Sequence, residues 1–262
     1  MKVRKPVVAG SFYPSDPERL RTYVEKLMED PPNLEGSMKG LISPHAGYMY
    51  SGYTAGRVYG LLMGKDYRRV LLIGPSHFVD FEGYSFGDFD LFETPLGAVK
   101  VDREAIFSFT EDRKYFDGLP HLYEHSLEVQ LPFLQVVLGD FSLVPVVYGR
   151  VSSEEIAKLL ENFCDGRTLF VISSDLSHYY DYATAKTLDG YCHLWITKGE
   201  RQAKLRCEAC GKIGIEGALI YAGSKGLRAT LVDYRTSGDS GGGKERVVGY
   251  GGYAFISSYS TT

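Results

Sequence analysis

Two spacings of apolar residues alternate along the chain, and they predict helices and strands in turn. Short, nearly continuous apolar runs predict strands at residues 40–43, 69–74, 141–149, 168–175, 230–235 and 247–259. Helical spacing predicts helices at residues 17–30, 53–62, 126–138, 152–164, 200–210 and within 214–226. The alternating pattern at 84–101 predicts a hairpin or an edge strand.

The regular alternation of strands and helices predicts an α/β protein whose sheet is covered by helices on both faces. The strands at 40–43, 69–74 and 168–175 are apolar at consecutive positions, as expected for parallel strands that are buried on both sides. The two C-terminal strands are candidates for antiparallel neighbours. The 262 residues contain no low-complexity linker and no internal repeat, so we predict a single domain over residues 1–262.

Composition and charge narrow the classes of function. The net charge of −4 disfavours nucleic acid and anionic membranes as main partners, since both require clustered Lys and Arg. No apolar run reaches the roughly 18 residues that span a bilayer, and the N-terminus lacks the apolar core of a signal peptide. We therefore expect a cytoplasmic protein. Four cysteines are too few for a disulfide scaffold, and in that compartment all four are expected to be reduced.

Three of the six histidines follow predicted strands at nearly the same place. His45 follows the strand at 40–43, His77 the strand at 69–74, and His178 the strand that begins at Thr168. Ligands of open α/β sheets bind beyond the carboxyl ends of the strands. A lone loop histidine is usually just a hydrogen-bonded side chain, but three in this position predict a common pocket. Imidazole binds zinc, iron, copper or nickel and also serves as an acid or base near neutral pH.

A fourth histidine, His125, lies at the start of the helix predicted for 126–138. Glu128 is three residues further on, a spacing that places both side chains on one side of a helix. Alternatively, Ser126 caps the helix, and Glu124 and Glu128 stabilise its positive end. Capping accounts for the two acids but leaves His125 unexplained. We therefore count His125 and Glu128 as candidate pocket residues, with Glu128 as a candidate general base.

The glycine-rich segment at 237–244 allows two interpretations. It lacks the fixed order of a phosphate-binding loop, which disfavours nucleotide binding. As a flexible loop over the pocket, it would present Asp239 or Ser240. A carboxylate there would complete a set of two histidines and one carboxylate, the ligand type of non-haem iron oxygenases.

Cysteine and tyrosine provide weaker candidates. Cys207 and Cys210 form one CxxC pair, but a structural zinc site needs a second pair, and the preceding residues are predicted to be helical rather than a strand. Cys210, which is followed by a glycine, can still face the pocket. Tyr48 and the neighbouring Tyr50 and Tyr53 either stack on a ligand or pack in the core, and the pattern does not distinguish between these roles.

The ordered motifs along the whole chain resemble those of the Memo family, whose bacterial and archaeal members are also called AmmeMemoRadiSam system protein B. These motifs are VVAGSFYPSDP, LISPHAGYMYSG, LLIGPSH, FETPLG, EHSLEVQLPF, VISSDLSHY, and SGD followed by VVGYGGYAF. The resemblance implies the fold of the class III extradiol dioxygenases, a three-layer α/β/α sandwich around a mostly parallel mixed sheet. In those enzymes, two histidines and a glutamate hold Fe(II), and a further histidine acts as acid or base.

By this resemblance, His45 and His77 match the first two ligand positions and His178 matches the acid/base position or an extra ligand. His125 matches a second pocket histidine.

The third ligand falls in the late loop, where some Memo proteins carry a cysteine. Counting on from Tyr234, the matching residue is Ser240, with Asp239 beside it. Serine is a poor ligand for divalent iron. Either Asp239 supplies the third ligand, which we predict, or the metal is weakly held, or the site no longer carries out oxygen chemistry.

These residues predict a metal-dependent oxidoreductase, with Fe(II) as the expected ion, and with Zn, Cu or no metal at all as alternatives. His178 and His125 would move protons or orient dioxygen. The alternative is a non-catalytic binding module that captures a peptide, a small ligand or a redox metal. The family name implies a shared pathway with AMMECR-type and radical SAM proteins. A third hypothesis, hydrolysis by a metal-activated water, would use Glu128 as its base.

Overall fold

An eleven-stranded sheet organises the protein, and helices cover both of its faces. The computed structural model describes residues 1–258. The strands are β1 (Val3–Arg4), β2 (Ser37–Ser43), β3 (Arg69–Pro75), β4 (Tyr84–Ser85), β5 (Leu91–Thr94), β6 (Gly97–Val101), β7 (Ser142–Tyr148), β8 (Thr168–Ser173), β9 (His178–Tyr180), β10 (Leu227–Thr236) and β11 (Val247–Ser257). The helices are α1 (Pro17–Leu27), α2 (Tyr48–Tyr59), α3 (Arg103–Phe109), α4 (Leu119–Leu122), α5 (Leu131–Leu138), α6 (Ser153–Phe163), α7 (Tyr182–Lys198), α8 (Arg201–Arg206) and α9 (Lys212–Lys225). None of the helices within residues 1–258 is both long and apolar enough to cross a membrane.

The centre of the sheet is parallel and its flanks are mixed. The strand order is β1-β5-β6-β7-β3-β8-β2-β11-β10, with β4 beside β7 and β9 beside β11. Strands β6, β7, β3, β8 and β2 run parallel to one another, whereas β10 and β11 pair antiparallel. Every residue of β8 is buried, because helices cover both sides of it. The predicted three-layer α/β/α sandwich around a mostly parallel mixed sheet is confirmed.

One glycine sets the close packing of the first two helices. A Cβ atom on Gly56 of α2 would lie 2.1 Å from the backbone oxygen of Leu27 at the end of α1. Only glycine therefore permits this approach. Deeper in the same layer, the Tyr59 ring of α2 stacks on Phe133 of α5 with ring centroids 5.0 Å apart. This packing fixes α2, and with it the loop at 44–47 that enters the helix.

Several predicted boundaries differ from the structure, and the helices α3, α4 and α7 were not predicted. Helix α2 begins at Tyr48 rather than at residue 53, and α8 covers only Arg201–Arg206. Helix α7 was not predicted, because its buried positions include Asp189 and small side chains and so lack a strong apolar stripe. The predicted last strand reaches Tyr259, which lies outside the described residues.

The prediction that all four cysteines are reduced is wrong. Cys192 of α7 and Cys207, just after α8, form a disulfide. Cys164 and Cys210 are free. The cross-linked residues are 15 positions apart, and closing a loop of this length in the unfolded chain contributes about 3 kcal/mol to stability in the chain-entropy account.

Candidate metal centre

Three imidazoles converge where β2 and β3 end. His45 follows β2 and His77 follows β3, and these strands flank β8 in the sheet. His125 comes from the loop before α5. Each ring offers one nitrogen, and these atoms lie within 4.8 Å of one another. Ring centroids are 5.0 Å apart for His45 and His77, and 5.1 Å apart for His77 and His125. A group with this composition and spacing can hold a metal ion.

Burial keeps part of this group uncharged. His45 is buried, and burial, followed by the neighbouring His77 and His125 rings, holds its pKa well below the ordinary value. Burial also lowers the pKa of His125. Because only a deprotonated ring nitrogen binds a metal, these shifts favour the ligand form at neutral pH. For His77, burial alone would lower the pKa, but the hydrogen bond and charge of Glu124 raise it.

Glu124 orients His77, a role that its predicted position as a helix-end acid did not indicate. Its Oε1 accepts a hydrogen bond from the His77 ring Nδ1 at 2.9 Å, and its Oε2 accepts one from the His77 backbone N–H at 2.6 Å. The backbone N–H groups of His125 and Ser126 also donate to Oε1. A hydrogen on Nδ1 leaves the Nε2 lone pair of His77 free. One buried carboxylate thus holds the segments that carry two of the three rings.

Two further groups border the His45 ring. The Cys210 Sγ lies 3.4 Å from His45 Nε2, and Asp175 Oδ2 lies 3.8 Å from the same atom. Asp175 also accepts the His45 backbone N–H at 2.8 Å. Burial raises the pKa of Cys210 to about 12 and raises the pKa of Asp175. Asp175 was missed as a site residue because it was counted only as the end of a predicted strand.

His178 and His45 both approach the same carboxylate oxygen of Asp175. Its Nε2 is 4.0 Å from Asp175 Oδ2, and its side chain is 33% exposed. It begins β9, which pairs with β11, and the next residue, Tyr179, has a φ of +66°, a strained value for a residue with a side chain. His178 is not part of the three-nitrogen group, and its acid/base role stays a prediction.

The structure brings His125, and not Asp239, to His45 and His77. Asp239 Oδ1 accepts a hydrogen bond from the Tyr182 hydroxyl at 2.7 Å, and Oδ2 accepts the Thr236 backbone N–H at 2.8 Å. The Thr236 bond caps the short 3₁₀ turn at 237–239, and the Tyr182 bond ties this turn to α7, so both carboxylate oxygens already have partners.

Ser240 beside it donates its hydroxyl to the backbone oxygen of Tyr50 at 3.0 Å. This bond ties the loop to α2.

Two other predicted pocket residues are built into the core. Glu128 is 1% exposed, and its carboxylate accepts hydrogen bonds from the Val7 and Val8 backbone N–H groups and from the Tyr13 hydroxyl. It also pairs with the buried Arg4. These donors engage the Glu128 carboxylate within the core, so its predicted role as a general base loses support.

Tyr48 is also buried and packs against Phe133, with ring centroids 4.8 Å apart. Its hydroxyl donates to the backbone oxygen of Val129. Of the two roles predicted for the tyrosines, stacking on a ligand or packing in the core, Tyr48 therefore has the second.

Aromatic side chains flank the imidazoles. The rings of Phe12 and Phe78 lie 5.0 Å and 5.9 Å from His125. Phe78 is 60% exposed, and Tyr179 beside His178 is exposed to a similar degree. Arg246 lies over the Tyr179 ring. The approach to the histidines is therefore partly apolar.

The fold and the site together define a class of protein: an α/β/α sandwich with three imidazoles that could hold a metal ion. The chain belongs to the Memo family: the family profile described as Memo-like protein matches residues 4–254. Among similar proteins, a MEMO1 family protein of Archaeoglobus fulgidus is 38% identical over 97% of this chain and 99% of its own length. MEMO1 family proteins of Aquifex aeolicus and Methanosarcina mazei are 37% and 36% identical, covering 98% and 95% of this chain and 100% and 98% of their own lengths.

Glu124 predicts a pH dependence of stability. Burial by itself raises its pKa, but the hydrogen bonds and charge of His77 outweigh this and lower the pKa to about 2 from an ordinary 4.5. A carboxyl with a lowered pKa in the folded state contributes stability that is complete above its unfolded pKa and is lost as the pH falls towards the folded value. We expect the difference in unfolding free energy between wild type and Glu124→Gln to shrink between about pH 5 and pH 2, as urea unfolding would measure. A difference that stays constant over this range would contradict the assignment.

Proposed function

We propose that the protein binds one divalent transition metal ion through His45, His77 and His125, with Fe(II) as the expected ion, and acts as an oxidoreductase. The observation that carries this proposal is the group of three ring nitrogens within 4.8 Å of one another. Imidazole suits iron, copper and zinc, and three protein ligands leave coordination positions for a substrate. A relationship to the class III extradiol dioxygenases is part of the same proposal.

The residues around the three ligands support a reactive site. When bound, iron or copper would supply Lewis acidity and one-electron redox chemistry. The Cys210 thiol and the Asp175 carboxylate adjoin His45 and offer further donors. His178 is within 4.0 Å of that carboxylate and is partly open to solvent, so it can exchange protons with both the site and water. We propose His178 as the acid/base residue.

The side chains around the three histidines also favour one class of ligand. Exposed aromatic rings at Phe78 and Tyr179 beside the histidines favour a small molecule or a peptide that carries an apolar or aromatic part. We propose a cytoplasmic role in a pathway with AMMECR-type and radical SAM proteins, which the name of the bacterial and archaeal members suggests. The Cys192–Cys207 disulfide would then be one that persists inside the cell, as disulfides do in intracellular proteins of hyperthermophiles. The net charge of −4 supports partners other than nucleic acid.

A second candidate is a non-catalytic binding module, and the ligand set favours it in one respect. The non-haem iron oxygenases use two histidines and a carboxylate, whereas the three groups brought together here are all imidazoles. Hydrolysis loses support, because Glu128, its candidate base, is committed to Arg4 and to the N-terminal backbone.

Metal loading followed by oxygen consumption tests both candidates. Chelator-stripped protein would be loaded anaerobically with Fe(II), Zn(II) or Cu(II), desalted, and analysed by plasma mass spectrometry. Oxygen uptake would then be measured with a panel of catechols. We expect about one retained ion per chain, because the three ligands form one site. Uptake by the iron form supports the enzyme, and retention without uptake supports a binding module that captures a metal. No retained metal contradicts both of these and leaves only a module that binds a peptide or a small ligand.

A further inference from the structure

The His45 ring is held by a chain of buried hydrogen bonds that reaches it from the core. We propose that Ser173 and Gln130 are positioning residues that lock His45 in the tautomer with its hydrogen on Nδ1, so that Nε2 presents a lone pair to the pocket. The use of that lone pair for a metal rests on the proposed function. The tautomer itself does not, and it can be observed in metal-free protein.

The orientation of the Gln130 amide follows from its neighbours. Its Nε2 lies 2.9 Å from the backbone oxygen of Pro44, an atom that can only accept a hydrogen bond. Its Oε1 accepts the Tyr59 hydroxyl at 2.8 Å. Rotating the amide by half a turn would place two acceptors, Gln130 Oε1 and the Pro44 oxygen, against each other. The amide nitrogen therefore stays on the Pro44 side, and from there it also reaches Ser173.

Ser173 lies between the Gln130 amide and the His45 ring, and its hydrogen bonds restrict which tautomer the ring can adopt. Its Oγ accepts a hydrogen bond from Gln130 Nε2 at 2.9 Å. Its single hydroxyl hydrogen is directed to the backbone oxygen of Ser126 at 2.6 Å, which can only accept. The remaining lone pair of Oγ lies 2.9 Å from His45 Nδ1. With no hydrogen left on the serine for this contact, the histidine ring must donate.

Burial makes the constraint strong. Gln130 and Ser173 are fully buried, and His45 is 2% exposed, so water does not replace any of these partners. The opposite tautomer would turn the Ser173 hydrogen towards His45 and leave the buried oxygen of Ser126 unpaired, which is unfavourable. On the other side of the ring, Nε2 faces the Cys210 thiol at 3.4 Å, a group that can donate a hydrogen to a bare nitrogen. The Asp175 Oδ2 atom, 3.8 Å from Nε2, is too distant to accept a hydrogen bond from it, so both sides of the ring are consistent with the same tautomer.

The consequence for the site is preorganisation. The Glu124 carboxylate holds His77 in the same tautomer. His45 is held by the Ser173 hydroxyl, which itself accepts a hydrogen bond from the buried Gln130. Hydrogen bonds of this kind to the second ring nitrogen fix the orientation of metal-binding histidines, and their loss typically lowers metal affinity 10–100-fold.

Long-range ¹H–¹⁵N correlation spectra of the metal-free protein test the lock, because they distinguish the two neutral tautomers of each histidine. The His45 signals are assigned with a His45→Gln variant. We expect hydrogen on Nδ1 in the wild type and a shift towards Nε2 in Ser173→Ala, where Nδ1 has no acceptor. Ser173→Thr keeps the hydroxyl and is expected to retain the wild-type tautomer. Gln130→Met is the second variant, and it should give a mixture because the serine hydroxyl is freed to rotate.

The buried Ser85 is the matched control, since its hydroxyl donates to the backbone oxygen of Asp117 in a different part of the sheet. Ser85→Ala should leave the His45 tautomer unchanged. A wild-type His45 with its hydrogen on Nε2, or an unchanged tautomer in both folded Ser173→Ala and Gln130→Met, would overturn the proposal.

Zinc titration of the same proteins separates this proposal from the proposed function. We expect the dissociation constant for Zn(II) to rise about 10–100-fold in Ser173→Ala and to stay near the wild-type value in Ser173→Thr. If the tautomer shifts as expected but the wild type binds no zinc, iron or copper, the lock is supported and the metal site is refuted. If the wild type binds zinc and Ser173→Ala binds it equally well with its tautomer unchanged, the lock is refuted and the metal site is supported.

Discussion

Replacing His125 with alanine is expected to lower metal affinity by about 100-fold or more, whereas Asp239→Ala should leave it within about twofold of the wild type. The reason is geometric: His125 offers a ring nitrogen within 4.8 Å of those of His45 and His77, while the Asp239 carboxylate is bonded to Tyr182 and Thr236. Removing a direct ligand should cost at least as much as the 10–100-fold typical of removing a group that only orients one. Competition with a chromogenic chelator measures both affinities.

His121 provides the matched control for losing a histidine from this region. It is buried, and its Nε2 bonds to the backbone oxygen of Ser85 rather than facing the three rings. His121→Gln should therefore retain the wild-type metal affinity. Strong loss of metal from Asp239→Ala together with retention in His125→Ala would restore the ligand set predicted from the sequence and refute the one drawn from the geometry.

Replacing Glu128 with alanine is expected to lower the unfolding free energy by about 3–5 kcal/mol, the usual result of removing one partner of a buried ion pair. Its partner Arg4 is only 3% exposed and would remain as an uncompensated buried charge. The change would also remove the acceptor for Val7, Val8 and the Tyr13 hydroxyl. Urea unfolding followed by circular dichroism gives the difference in free energy.

A surface ion pair on the same N-terminal segment serves as the control. Lys5 pairs with Glu93, but their side chains are 70% and 37% exposed. Exposed pairs of this kind contribute about 1 kcal/mol or less, so Glu93→Ala should have a small effect. Equal effects of Glu93→Ala and Glu128→Ala would show that the burial of the Arg4–Glu128 pair is not what stabilises the N-terminal segment.

The fold was largely predictable because its central strands carry an unambiguous pattern. Strands β3 and β8 are buried on both faces and read as continuous apolar runs, which local sequence shows directly. Helix α7 was not predictable in this way, since a buried Asp189 and a cysteine occupy positions where an apolar stripe would be expected. The Asp189 carboxylate is satisfied by Ser177 and Tyr234, partners that are distant in sequence or lie outside the helix.

The site was predictable only where topology alone places a residue. His45 and His77 follow the two parallel strands on either side of β8, so the strand-end rule was sufficient to bring them together. Carboxylates were harder, because a capping acid and a functional acid look the same in sequence. Glu124 was treated as a helix-end charge but holds His77, and Asp239 was treated as a ligand but caps a turn.

The ion pair between Arg4 and Glu128 also affects how the chain folds. Arg4 and Glu128 are 124 positions apart, and β1 finds its strand partner, β5, only near residue 91. During synthesis Arg4 and β1 therefore emerge well before the residues that they pair with. Closing such long loops is slow, and an unpaired strand is prone to aggregate while it waits. Expression at low temperature, or with a chaperone that shields extended segments, should therefore raise the yield of folded protein.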